Sequence, residues 1–473
     1  DVPELHSSNS LSFNNVSGTW NWYDGVLYGT KSTYNFNSAP SATETGYSAV
    51  TVVDAANGYK TYLLKSSDMV YRLHNSSGKI TGYAANLSDA ITNTSSGGTM
   101  LALKDNTSAG VNVHNNVTLD TNGKTITMTG LLVNSDGYTL NIKGSGTITS
   151  SSSIDELLYV LGTTNLSETT LKCTSSSCKR VVLQRGTLNM SSGIILHTAG
   201  SAVRNEKGTF KVTGGSIIGS SGNGISVSGG NVNLVTSDKQ ITVSGLYYGI
   251  ISGGAKTANV NLNISSDSPT RIMIYTTSQD NGSSTAISME GHDASNNFVV
   301  TSSIEGATFY SYGHAMNNGL YNTMTVSNVV MESRNFTLYN RGMLYLGYDP
   351  TVGHVDDNSG ADVSIANVDT YDVFNYTGGT IYMGKGTYVY DVRDTSSITN
   401  DNTKKPFANY GTIYLNGGRI YYNYGVNSSF YNLEGGTVVQ SGWGINNVST
   451  TYTFNYYNKG ASYSIRRYSS KKS

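Results

Sequence analysis

Three glycines at an even step, Gly186, Gly208 and Gly230, constrain this chain more than any other feature. They open Gly186-Thr187-Leu188, Gly208-Thr209-Phe210 and Gly230-Asn231-Val232, and apolar residues alternate with polar ones after each. A fixed period of this size marks a solenoid, in which no single unit buries its own apolar face and each stacks on the next. The units hold short strands and Gly/Asn turns with no helical pattern. That combination predicts an all-β chain folded as a parallel β-helix. At 473 residues the length alone suggests about three domains, but a solenoid escapes that estimate because its core grows in one dimension.

Asn116, Gly137, Gly162, Gly186, Gly208, Gly230 and Gly254 mark successive coils of about 22–25 residues. Residues 255–340 are less regular, which predicts loop insertions around Ser265–Ser284 and Glu290–Asn297. The register returns in Asn375-Tyr376-Thr377-Gly378-Gly379-Thr380-Ile381-Tyr382-Met383, in Asn409-Tyr410-Gly411-Thr412-Ile413-Tyr414-Leu415 and in Asn432-Leu433-Glu434-Gly435-Gly436-Thr437-Val438. In this unit Gly is expected to supply the positive φ that corners need. Asn is expected to tolerate it and to stack as a ladder, with Ile and Leu facing inward. Coils about 4.8 Å apart give a rod near 70 Å with flat lateral faces.

Residues 1–84 do not share the repeat. Trp20, Trp22, Tyr23 and the strand-like runs Tyr47–Val53 and Tyr59–Leu64 predict a small β module or an elaborate cap, and the open end of a β-helix requires cover. Asn86-Leu87-Ser88-Asp89-Ala90-Ile91 then reads as a capped short helix, followed by a strand from Gly98 to Leu103. The β-helix is expected over 85–473.

That helix, the Gly97-Gly98 pair and the Thr99-Met100-Leu101-Ala102-Leu103 strand resemble the entry to right-handed β-helices of the pectate-lyase-like superfamily, where such a helix plugs the N-terminal end. The C-terminal units resemble coils of large β-helical surface proteins of Gram-positive gut and oral bacteria. The resemblance covers about 85–465 and implies the fold far more than an activity. It implies an exported, adhesin-like protein.

Composition narrows the classes further. Only 13% of residues are charged, against a usual ~25%, and the formal net charge is −1, so there is no basic field to hold nucleic acid. Arg466, Arg467, Lys471 and Lys472 read as a solvated tail. There is no apolar run of about 18 residues, so neither a membrane span nor a signal peptide is expected within this sequence. A chain that starts at Asp1 reads as a piece of a longer exported protein. Cys173 and Cys178 flank a Ser-rich loop and predict either a local disulfide or two free thiols, and no metal site without a nearby His.

Many β-helices cleave polysaccharides, which makes the carboxylates worth testing. The superfamily's hydrolases carry Asn-x-Asp, Asp-Asp, Gly-His and Arg-x-Lys on successive coils. Here Gly353-His354 precedes Asp356-Asp357 directly, Asn134-Ser135-Asp136 and Asn367-Val368-Asp369 match in letters only, and Arg-x-Lys is absent. The Asp clusters of the Ca²⁺-dependent lyases are absent too. His197, His292, His314 and His354 stand alone in sequence. No catalytic residue, metal or cofactor is assigned.

What recurs is aromatic, with 35 Tyr in all. If Ile381 and Met383 point inward, Tyr382 points out; the same holds for Tyr414 and Tyr345. Tyr345, Tyr382, Tyr414, Tyr422, Tyr424 and Trp443 are the candidate ligand-binding residues, since exposed Tyr offers contact area at little entropic cost. The competing reading is a ladder that only stiffens the sheet. The expected function is that of a non-catalytic, monomeric binding protein of the bacterial surface whose lateral face takes a host glycan, glycoprotein or immunoglobulin. The alternatives are a carbohydrate-active enzyme with an atypical site and a structural stalk.

Overall fold

The computed structural model describes residues 70–253, 256–279, 284–291, 298–347, 373–384, 407–414 and 436–438 with their side chains, and beyond these only strand backbones. It is a parallel β-helix. Each coil contributes a first, a second and a third strand, as in Val117–Asp120, Thr125–Met128 and Leu132–Asn134, and each pairs in parallel with its counterpart one coil on. Among the described residues the third strands form one 14-stranded sheet, from Val111–Val113 to Tyr457–Asn458. At about 4.8 Å per strand that sheet runs roughly 60 Å.

Period-two alternation in the sequence becomes inside and outside. Leu119, Ile142, Leu166 and Met190 follow one another in register down the first face and are at most 1% exposed. Continuous burial of this kind is the dominant favourable contribution to folding, and here each coil completes the core of the one before it.

The helix Leu87–Asn93 lies at the N-terminal end of the stack. Asn86 caps it by accepting from the Asp89 backbone N–H, and Leu87, Ala90 and Ile91 are buried in the core. A hairpin, Tyr71–His74 with Ile80–Ala84, pairs antiparallel with Gly98–Ala102 and so joins the β-helix sheet. Tyr71 is fully buried, with its hydroxyl donating to Asn106 Oδ1 at 2.9 Å. Further upstream, Tyr47–Asp54 and Gly58–Lys65 pair antiparallel in a separate four-stranded sheet with Val26–Gly29 and Glu4–Leu5.

Coil length follows the sequence period only at first. One outer register steps by 23, 24 and 24 residues from Thr118 through Asn141 and Asn165 to Asn189, and the outer register two residues before it steps by 30 and 40 from Asn231 through Asn261 to Thr301. The long steps have two origins. The stretch expected as an insertion, Ser265–Ser284, contains the second strand Ile272–Thr276, so only its flanking turns are extra; 280–283 and 292–297 lie outside the described residues. In the next two coils, Val300–Ser311 and Asn322–Ser333 run through the corner between first and second strands as single 12-residue strands. Gly306 at φ +70° and Asn328 at φ +49° take the bend there.

The corner chemistry differs from expectation in one respect. Gly208 and Gly230 do have positive φ, +75° and +79°. Gly411 does not; it is needed because a Cβ would run into the Gly379 carbonyl of the coil below. The asparagines likewise keep ordinary strand backbones and serve through their amides. Asn318, Asn340, Asn375 and Asn409 are fully buried and hydrogen-bonded in series, Nδ2 to Oδ1, at 2.7, 2.7 and 2.8 Å. Each amide also donates to backbone carbonyls at the corner, as Asn375 does to Gly379 O and Thr412 O.

Candidate ligand-binding faces

The tyrosines singled out from the sequence fall in one column of the first face. Tyr345 pairs in register with Tyr382, and Tyr382 with Tyr414. Their strand neighbours Leu344, Leu346, Ile381, Met383 and Ile413 are fully buried, which turns the three rings outward. The rings stack, 4.9 Å apart and 16° from parallel for the first pair, 4.5 Å and 6° for the second. Ring faces are thereby turned to one another, so the column offers solvent ring edges and hydroxyls at coil spacing. Tyr422 is the last residue of strand Arg419–Tyr422, of which only the backbone is described, while Tyr424 and Trp443 lie outside the described residues.

The same column has another character further down. Below Tyr345 come Thr325 and Ser303, and nearer the N-terminus Asn189, Asn165, Asn141 and Thr118. There the amides hydrogen-bond from coil to coil at 2.9, 2.7 and 3.3 Å, an outer ladder that an aromatic one replaces toward the C-terminal end.

A second aromatic group, not foreseen from the sequence, covers the third face. Tyr339 stacks on Phe374 at 5.6 Å and 9°, and Phe336 meets Phe374 edge-on at 5.3 Å. Phe374 reaches Tyr410 at 5.5 Å, and Tyr376, 42% exposed, lies under the Arg341 guanidinium at 5.4 Å. His314 closes the lower end against Phe336 and Tyr339 at 5.2 and 6.0 Å; burial holds its imidazole neutral, with a pKa lowered to about 4. The signal for this group was present as an aromatic residue directly before two of the four ladder asparagines, in Tyr339-Asn340 and Phe374-Asn375.

Lower on the third face lies an open groove of about 630 Å³. Lys179, Arg180, Ser201, Arg204, Ser226 and Ile251 are among its lining residues. Ile251 and Gly253, in and just after strand Tyr248–Ser252, close one side of the groove. Three cations converge here. Lys179 pairs with Asp155 at 2.5 Å and Arg204 with Glu206 at 2.8 Å, while Glu206 also binds Arg185 at 2.7 Å. Arg180 lies beside Glu156, whose carboxyl is pushed up by burial against the pull of that guanidinium.

The remaining sequence candidates resolve differently. Asn134, a match to the hydrolase pattern in letters, is a buried corner amide donating to Thr163 O. Asp356, Asp357 and His354 lie outside the described residues. Cys173 and Cys178 form a buried disulfide with Cα atoms 6.2 Å apart. His197, isolated in sequence, packs against it in space, so that one ligand atom from each of the three residues lies within 4.8 Å of the others. The sulfurs are bonded to each other, Nε2 contacts Cys178 O at 2.5 Å and Nδ1 accepts from the Ala199 N–H at 3.1 Å, which leaves no lone pair for an ion in this state. Among the described residues the lateral faces present aromatic, amide and guanidinium groups, and the carboxyl groups of Asp155, Glu156 and Glu206 on the third face each lie against a basic side chain. Compared with known proteins, the chain matches no protein-family model, no curated protein and no solved structure.

Proposed function

We propose that this chain is the rod of an exported bacterial surface protein, akin to the β-helical adhesins of Gram-positive bacteria, and that it binds a host glycan, glycoprotein or immunoglobulin without catalysis. The observation that supports this reading is the Tyr345, Tyr382 and Tyr414 column, a row of amphipathic rings repeating at 4.5–4.9 Å on an outward face. A rigid row of hydroxyls and ring edges suits an extended polar partner laid along the rod, because stacking has already removed the rotamer entropy that binding would otherwise cost. The stacking itself favours a second reading, a stalk whose ladder stiffens the sheet.

A glycan array and a panel of secreted host proteins including immunoglobulins, probed with the wild type and with Tyr382→Ala/Tyr414→Ala, separate the two. A specific ligand whose binding falls at least tenfold in the double variant supports the binding reading. Silence on both panels leaves the stalk, whereas a ligand indifferent to the variant removes the column from binding and places the site elsewhere on the rod.

A further inference from the structure

We infer that the groove on the third face is a binding site for an anionic saccharide, a sugar bearing a carboxylate or a sulfate ester. This site lies apart from the tyrosine column and requires nothing of it.

Hydrogen-bond supply and demand carry the inference. Arg180 pairs in register with Ser201, and Arg204 with Ser226, so each guanidinium has a hydroxyl beside it on the next coil. Among the described residues the Arg180 guanidinium has no hydrogen-bond partner, and Arg204 engages Glu206 through Nε alone. Ser201 Oγ accepts from the Asn223 N–H at 3.0 Å and Ser226 Oγ accepts from Asn223 Nδ2 at 3.0 Å, which leaves both hydroxyl protons to donate. The groove thus holds an excess of donors over acceptors. Its charge has the same sign by a margin of one: the four cations Lys179, Arg180, Arg185 and Arg204 face the three carboxyl groups of Asp155, Glu156 and Glu206. Planar guanidinium forks match carboxylate and sulfate oxygens geometrically as well as electrostatically.

The rest of the lining points to a sugar. Ser226 pairs with Ile251 on the following coil, so the Arg204 column runs from guanidinium through hydroxyl to an aliphatic side chain. That sequence complements a ring with a charged edge, hydroxyls along its side and one C–H face. About 630 Å³ lies within the range of small-ligand sites and has room for a saccharide of roughly two rings.

The test is titration calorimetry of the full chain with 3′-sialyllactose, a sulfated chondroitin tetrasaccharide, lactose as the neutral control and a doubly phosphorylated serine peptide. The expected result is binding of at least one anionic saccharide, no heat with lactose at the same concentration, and weaker binding as salt rises from about 50 to about 300 mM. Arg180→Gln/Arg204→Gln should weaken that binding at least tenfold, while Tyr382→Ala/Tyr414→Ala leaves it unchanged. The sialyl and sulfated arms distinguish carboxylate from sulfate. Should the arginine pair fail to keep the wild-type melting profile, Ser226→Tyr fills the groove from an outward position and must abolish binding. The inference is overturned if neither anionic saccharide binds, if the groove variants bind as the wild type does, or if the phosphopeptide binds through the same arginines more tightly than either sugar. Failure here with a positive tyrosine-dependent panel, or the converse, tells which site is lost.

Discussion

Tyr382 and Tyr414 lie ring over ring on successive coils, 4.5 Å between centroids and 6° from parallel. Their Cα atoms are register partners in a parallel ladder, so the stacking distance is set by the strand spacing and not by a choice of rotamer alone. The pair is therefore both a candidate recognition surface and a brace between coils, and the two roles have separate measurable signatures.

For the brace, a double-mutant cycle is the direct measure. Tyr382→Ala and Tyr414→Ala should each lower unfolding free energy by about 1–2 kcal/mol, with a coupling of about 0.5–1.5 kcal/mol between them. Guanidinium unfolding of the four proteins gives these values. Coupling near zero would mean the rings stand side by side without mutual stabilisation.

The inner asparagine column gives a sharper prediction because it is complete in one half and broken in the other. Asn375 hydrogen-bonds both neighbours in the column, accepting from Asn340 Nδ2 at 2.7 Å and donating to Asn409 Oδ1 at 2.8 Å. Asn205 stands between Gln184 and Val227, donates only to Gly229 O, and has a buried Oδ1 with no partner. Asn375→Val should cost about 3 kcal/mol, since it breaks both ladder hydrogen bonds and the amide's bonds to Gly379 O and Thr412 O, whereas Asn205→Val should cost about 1 kcal/mol or less. Equal losses in chemical denaturation would remove the ladder as the cause.

How much of this was legible in the sequence depends on which register the residues needed. The direction of Tyr382 follows from its neighbours Ile381 and Met383, two positions of one strand, and the period of two is visible in any alternating run. The role of Asn340, Asn375 and Asn409 was half legible: their recurrence before Gly marked the corner and the ladder, but a positive φ was the wrong reason for them. The Arg180–Ser201 and Arg204–Ser226 neighbours were not legible. Each pair joins different coils, and its members meet only if the turn between them is counted to the residue. The strands Val300–Ser311 and Asn322–Ser333 hid for a related reason: the alternation slips by one residue at Gly306 and Asn328, which reads as a strand end, whereas the pairing runs on through the bend.

Glycine substitutions separate conformational strain from crowding. Gly137 and Gly208 share nearly the same backbone, φ +81° and +75°, but a Cβ at Gly137 would meet nothing within 4 Å, whereas at Gly208 it would collide with the Gly186 carbonyl of the coil below. Gly137→Ala should therefore cost only the left-handed penalty, about 1 kcal/mol. Gly208→Ala must also push adjacent coils apart and should cost about 3 kcal/mol or more. Thermal melts of the two variants rank them, and similar melting temperatures would show that the coils accommodate the methyl group.

Acid sensitivity should trace largely to His314, which burial keeps neutral with a pKa lowered to about 4 from 6.5. The folded state resists a proton that the unfolded chain accepts, so the contribution is fully present above pH 6.5 and is lost as pH falls from there toward 4. Between pH 7.5 and 5 the loss should be about 1–2 kcal/mol, after a discount for the ring's residual exposure. His197, also lowered by burial, acts in the same direction. Glu156 acts in the opposite one: its carboxyl is raised by burial, so its penalty eases as pH falls toward its folded pKa. Asp155, lowered by its hydrogen bond to Lys179, loses its contribution only in more acidic solution, as pH falls below its unfolded value of 3.8. The difference between the wild type and His314→Phe isolates the one imidazole, because the other groups are common to both. Phe keeps the ring against Phe336 and Tyr339 and cannot take the proton, so the variant's stability should fall less over this window. Parallel stability curves for the two proteins between pH 7.5 and 5 would show that His314 is protonated in the fold at no cost, and that the third-face aromatic group opens to water far more readily than its packing implies.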